Sequence, residues 1–140
     1  MSRSEWRLIV EAMWLLAQVR VALWIHPFKH VQRRYARRTH PTASAATTRS
    51  GSVEARAIGI AVRRASRLVP AATCLPQALT TRVMLERRGI PNELVIGVTK
   101  AGTGTLEAHA WIEVEDRVIV GHLNDLSRFH RMPELPEEYG

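Results

Sequence analysis

The sequence predicts an α+β fold, with helices in front and a small antiparallel sheet behind them. Apolar residues recur at helical spacing up to about Gly89, whereas beyond it the pattern becomes extended and rich in β-branched residues. Helices grouped ahead of strands fit α+β better than the strand–helix alternation of an α/β protein. At 140 residues the chain suits one modest core and is too short for two domains of usual size. Apolar residues at 46% and charged residues at 24% exclude the composition of a disordered chain.

Ser2 and Glu5 have capping-box spacing, so a first helix is expected to start there and to run to about Ile25, before Pro27. Glu11, Gln18 and Arg20 interrupt its apolar run, while a spanning helix needs about 20 nearly uninterrupted apolar residues. No small-residue cleavage site follows a short apolar core. The expectation is a helix buried against the domain or a partner, no integral membrane segment, and cytoplasmic residence. "VQRRYARRTH" reads as a short basic helix, and "PTASAATTRSGS", Pro41 to Ser52, as a linker. Residues 1–50 thus form a basic helical docking segment and residues 51–140 the core.

From Val53, the residues Val53, Ala57, Ile58, Ala61, Val62, Ala65 and Leu68 fall at helical spacing, a helix that Pro70 ends. A further helix starts at or within one residue of Cys74, tolerates Pro76 in its first turn, and stops at Gly89. "NELVIGVTK", "LEAHAWIEV" and "RVIVG" then read as three antiparallel strands. Glu115 and Asp116 form the turn between the last two. The tail from His122 reads as irregular.

Charge is uneven. Residues 1–70 hold 13 Lys and Arg against three acids, and residues 71–140 hold seven against ten. The positive front half points to an acidic partner surface.

Cys74 is the only cysteine, so no intramolecular disulfide and no cysteine-only zinc site can form. A lone cysteine reads either as a small buried hydrophobe or as a nucleophile. A helix N-terminus favours the second, because its unpaired N–H groups and positive dipole end stabilise a thiolate. Alternation in "EAHAWIEV" puts Ala108, Ala110, Ile112 and Val114 on one face and His109, Trp111 and Glu113 on the other. A helix bearing a thiol followed by a sheet bearing a histidine is the arrangement cysteine hydrolases use.

A third group should orient the imidazole. A simple hairpin would set Val114 opposite Arg117 and His109 opposite His122, where no carboxylate stands. Asp125, in a loop that could fold back, is the first candidate; Asp116, His122 or no side chain at all are the others. The Cys74 N–H is the natural oxyanion donor, with Gln77 as a second candidate. No metal and no cofactor are expected.

"ATCLPQALTTRVMLERRGIPNELVIGV", "LEAHAWIEVEDRVIVG" and "DLSRFHRM", with "ALWIHPFKHV" further forward, resemble the lasso-peptide leader peptidases, the protease part of the lasso B protein. The resemblance implies a transglutaminase/papain-like cysteine peptidase core, in which a nucleophile helix packs on a small antiparallel sheet behind an N-terminal helical extension. It implies Cys-His-Asp catalysis, with Cys74 and His109 matching the motif. The family's Asp would fall near Gly121 or His122, and there this sequence departs. The implied reaction removes the leader from a ribosomally made precursor peptide, alongside a separate leader-binding recognition-element protein and a lasso cyclase. An acyl-transferring enzyme on the same core is an alternative. A nucleic-acid-binding arm in "KHVQRRYARRTH" is another, although no helix-turn-helix or zinc signature accompanies it.

Overall fold

In the computed structural model, which describes residues 1–25, 49–69, 73–100, 102–122 and 126–131, the first helix, α1 (Arg3–Ile25), opens on the expected capping box. The Ser2 N–H donates to Glu5 Oε2 at 2.7 Å and the Glu5 N–H to Ser2 Oγ at 3.2 Å. Its core side presents Ile9, Ala12, Leu15, Leu16 and Val19, all buried. The basic stretch "VQRRYARRTH", Pro27 and most of the expected linker lie outside the described residues.

The second helix, α2 (Arg49–Ser66), begins four residues before the expected Val53 and stops short of Pro70. The side chain of Ser52, in its first turns, donates to Glu115 Oε2 at 3.3 Å, a tertiary contact that composition does not show. At the other end the Arg67 and Leu68 N–H groups turn back to Arg64 and Ala65 carbonyls, and Ser66 Oγ donates to the Arg63 carbonyl. The buried face is Ala55, Ile58, Ala61, Val62 and Ala65, while Val53 and Leu68 are exposed. Val53 and Ala55 are two residues apart and so lie on opposite sides of a helix; Ala55 takes the core side.

The third helix, α3 (Cys74–Arg87), ends as the sequence predicts. The Gly89 N–H reaches the Glu86 carbonyl and the Ile90 N–H the Leu85 carbonyl, the paired bonds of a Schellman closure, with Ile90 and Leu85 both buried.

Among the described residues four strands follow, where the sequence suggested three: β1 (Glu93–Lys100), β2 (Leu106–Val114), β3 (Arg117–Val120) and β4 (His130–Arg131), in the order β3-β2-β1-β4. The short β4 comes from the tail that read as irregular and pairs with β1 at Gly97 and Val98; two residues carry too little pattern to be seen as a strand. The β2–β3 hairpin turns on Glu115 and Asp116, both at positive φ, with Val114 opposite Arg117 as expected. A bulge then intervenes. Glu113 pairs with Val118 but Ile112 with Val120, so the extra residue, Ile119, advances the register by one and removes His122 from the place opposite His109.

The helices cover one face of the sheet, where Ala110, Ile112, Val114 and Val120 share a core with Leu16, Ile58, Met84 and Leu85. The other face carries a smaller cluster of Val95, Trp111 and Phe129, with Val118 against it.

Candidate active site

Cys74 is the first residue of α3. Thr73 precedes it in extended conformation with no side-chain cap, and the Gln77 N–H closes the first turn onto the Thr73 carbonyl at 3.2 Å. Pro76 has no N–H, so Cys74 and Leu75 are left with the forward-pointing N–H groups of this turn. Among the described residues neither has an acceptor. The Cys74 side chain is half-buried at the margin of the helical core. Gln77 is half-buried one turn later, on the same side of the helix by spacing.

His109 lies in β2 on the face away from the helices, as its alternation predicts. Its ring nitrogen Nε2 is 2.8 Å from the Gly121 carbonyl oxygen. A carbonyl only accepts, so Nε2 carries a proton, and in the neutral ring Nδ1 keeps its lone pair. Trp111 stacks beside the ring at 6.0 Å between centroids and 24° between planes, and Phe129 tilts against it at 5.9 Å. Trp111 is itself fixed. Its indole N–H donates to Glu113 Oε1 at 2.9 Å, the buried Glu113 carboxylate pairs with Arg131, and the Arg131 guanidinium sits over the Trp111 ring.

The two rings need Gly97, which faces His109 across the β1–β2 ladder. A Cβ there would stand 2.8 Å from Phe129 Cβ and 2.9 Å from the Trp111 ring.

Cys74 and His109 both lie away from the link that joins α3 to β1, and no hydrogen bond joins them among the described residues. The link Arg88–Asn92 is short, and a helix and a strand packed across so short a link run in opposite senses. The 14 residues of α3 span about 21 Å, whereas β1 climbs only about 13 Å from Glu93 to Gly97, the partner of His109, so the start of the helix reaches beyond the histidine's row. Along β2 burial stops at this row, for Ala110 is buried and Ala108 exposed. The thiol borders the helical side of the sheet, and the imidazole lies on the other with Trp111 and Phe129. Among the described residues Cys74 Sγ has no hydrogen-bond partner, and the ring of His109 bonds to Gly121.

Of the other candidates, Asp116 is at the hairpin tip, about 17 Å along β2 from His109. His122 is exposed and displaced by the bulge. Asp125 lies outside the described residues. The Gly121 carbonyl, Phe129 and the Glu113–Arg131 pair were not found by reading the sequence. Main-chain oxygens look alike at every position, and Phe129 and Arg131 reach the site through a two-residue strand. Among the described residues no cluster of three or more His, Cys, Asp or Glu side chains could hold a metal ion.

A family model described as the transglutaminase-like superfamily matches residues 13–134. No curated protein and no solved structure matches the chain.

Proposed function

Since the chain belongs to the transglutaminase-like superfamily, whose members are typically cysteine-dependent enzymes, we propose that it is a cysteine peptidase working through Cys74 and His109. The observation that carries this reading is the His109 hydrogen bond. With Nε2–H held by the Gly121 carbonyl, Nδ1 is the basic nitrogen available for a thiol. The reading requires thiol and imidazole to meet when substrate binds; catalytic hydrogen bonds are often long before that and tighten with it.

Nδ1 takes the Cys74 proton as sulfur attacks the scissile carbonyl carbon. The oxyanion so formed is met by the Cys74 N–H, with the Gln77 side chain as a second donor. The protonated Nδ1 then gives its proton to the leaving amine, and a thioester remains on Cys74. Water attacks that thioester while Nδ1 takes a proton from it, and the acid leaves as the thiol is restored.

The substrate class rests on the motifs "ATCLPQAL" and "EAHAWIEV" and their likeness to lasso-peptide leader peptidases: the leader–core bond of a ribosomally made precursor. A leader-binding partner would dock on α1. Trp6, Val10, Trp14, Val21 and Trp24 are all exposed and fall within one arc of that helix, and the exposed Arg3 and Arg7 beside them suit an acidic partner.

The test is incubation of the purified chain with precursor and partner, read by mass spectrometry. Free leader and core are expected, and Cys74→Ala and His109→Ala should each abolish their appearance while the thermal melt stays cooperative. Cleavage by purified Cys74→Ala would end the proposal, and a leader cross-linked to an amine would move it to acyl transfer.

A further inference from the structure

We propose that the group orienting His109 is the main-chain carbonyl of Gly121, which stands where a side-chain carboxylate would otherwise serve. The inference rests on the reading of Cys74 and His109 above. Nε2 and the Gly121 oxygen are 2.8 Å apart, within the usual range for a strong N–H···O bond. The bond fixes one tautomer and leaves Nδ1 as the base.

Three features build this carbonyl into place. Gly121 lies just past the last ladder pair, Ile112 with Val120, so its oxygen is not committed to the strand and the ring takes it. Its φ is +89°, a backbone state that side chains rarely allow, and a Cβ at this position would meet the Ala110 oxygen and Trp111 Cβ at 2.7 Å each. Glycine is thus required for the carbonyl to point where it does. The bulge at Ile119 sets the register that makes this possible. One inserted residue carries Gly121 to the level of Trp111, next to the ring it holds.

Trp111 and Phe129 flank the imidazole. A neutral acceptor inside this aromatic frame sets the ring's direction and tautomer without adding a charge. Orientation is the part of the third group's work that geometry alone can do.

Two measurements test the assignment. The first uses the full wild-type chain with its histidine rings labelled with nitrogen-15. Long-range proton–nitrogen correlation, at a pH where the ring is neutral, should show His109 with a proton on Nε2 and none on Nδ1. The signal is assigned by its loss in His109→Gln. A proton on Nδ1, or an even mixture, would overturn the proposal. This readout needs no substrate, so a chain that cleaved nothing would defeat the peptidase reading and leave the tautomer result standing by itself.

The second replaces the Gly121–His122 amide by an ester, which weakens the carbonyl as an acceptor and changes no side chain at Gly121. Because Cys74 is the single cysteine, recombinant 1–73 can be joined at that residue to a synthetic 74–140 carrying the ester. Relative to an all-amide chain assembled in the same way, kcat for leader cleavage should fall about fivefold with KM unchanged, the effect of weakening one hydrogen bond. An unchanged kcat would return the role to a side chain such as Asp125. The wild-type tautomer decides the matter if the ester chain does not fold.

Discussion

Gly97 shows how closely one backbone position governs the imidazole. Replacing it by alanine places a methyl group against Phe129 Cβ and the Trp111 ring, and both rings flank His109. We expect Gly97→Ala to cost about 1–3 kcal/mol, the usual penalty of overpacking, and to lower kcat because the displaced rings no longer frame the imidazole. Chemical denaturation and near-ultraviolet circular dichroism of the tryptophans would register the two effects separately; an unchanged aromatic spectrum would count against the frame. Cys74 and His109 could be singled out from the sequence because a thiol at a helix start and a histidine off the aliphatic face are side-chain signals. The Gly121 oxygen could not, since every residue supplies one. The place sought for a carboxylate was also one residue out, because a bulge leaves no mark in an alternating run as short as "RVIVG".

The helices meet through a small charged junction at one end of α3. Arg88 donates to Glu11 of α1 at 2.7 Å and lies 3.3 Å from Glu54 of α2, while Arg87 reaches Glu11 at 3.4 Å. The hydrogen bond from Arg88 holds the Glu11 carboxyl below its ordinary value near 4.5, against burial acting the other way, and Glu11 in turn raises Arg88. A carboxylate whose folded value is depressed adds stability above its unfolded value and loses it as pH falls through the folded one. The junction should therefore contribute fully above about pH 4.5 and fade below it. Glu11→Gln is expected to cost about 1 kcal/mol at neutral pH. Its melting temperature should converge on that of wild type in acid; parallel curves across the range would contradict this. The element order was legible from spacing and caps, because helix periodicity, the capping box and the Gly89 stop are local. The start of α2 was not, since Arg49 to Ser52 fall in a stretch of small and hydroxyl residues that reads as linker, although Ser52 meets Glu115 across the fold.

Over the whole chain, α1 has two apolar faces, which is why its sequence raised both a core helix and a docking surface. The helix is long and apolar enough to cross a membrane by length and composition, with a mean hydropathy of 1.7 over its most apolar window, yet Ile9, Ala12, Leu16 and Val19 are packed into the protein. The second face holds Trp14 at 69% exposure and Trp24 at 86%, large aromatic surfaces that contribute nothing to this fold and gain most by being covered. These two roles separate by mutation. Leu16→Ala should lower stability by about 2–5 kcal/mol, because it empties a fully buried site. Trp14→Ser and Trp24→Ser should leave the melting temperature almost unchanged and weaken the leader-binding partner at least tenfold, since exposed aromatic anchors dominate such interfaces. The front half carries 13 basic residues against three acidic ones, so wild-type association should also slow as salt rises, as expected for steering between opposite charges. Cleavage of a short model peptide that spans the leader–core bond but lacks the rest of the leader, and so needs no partner, should be untouched by either tryptophan change. Loss of that basic activity along with partner binding would mean that α1 supports the active site itself and that its outer face is no separate docking surface.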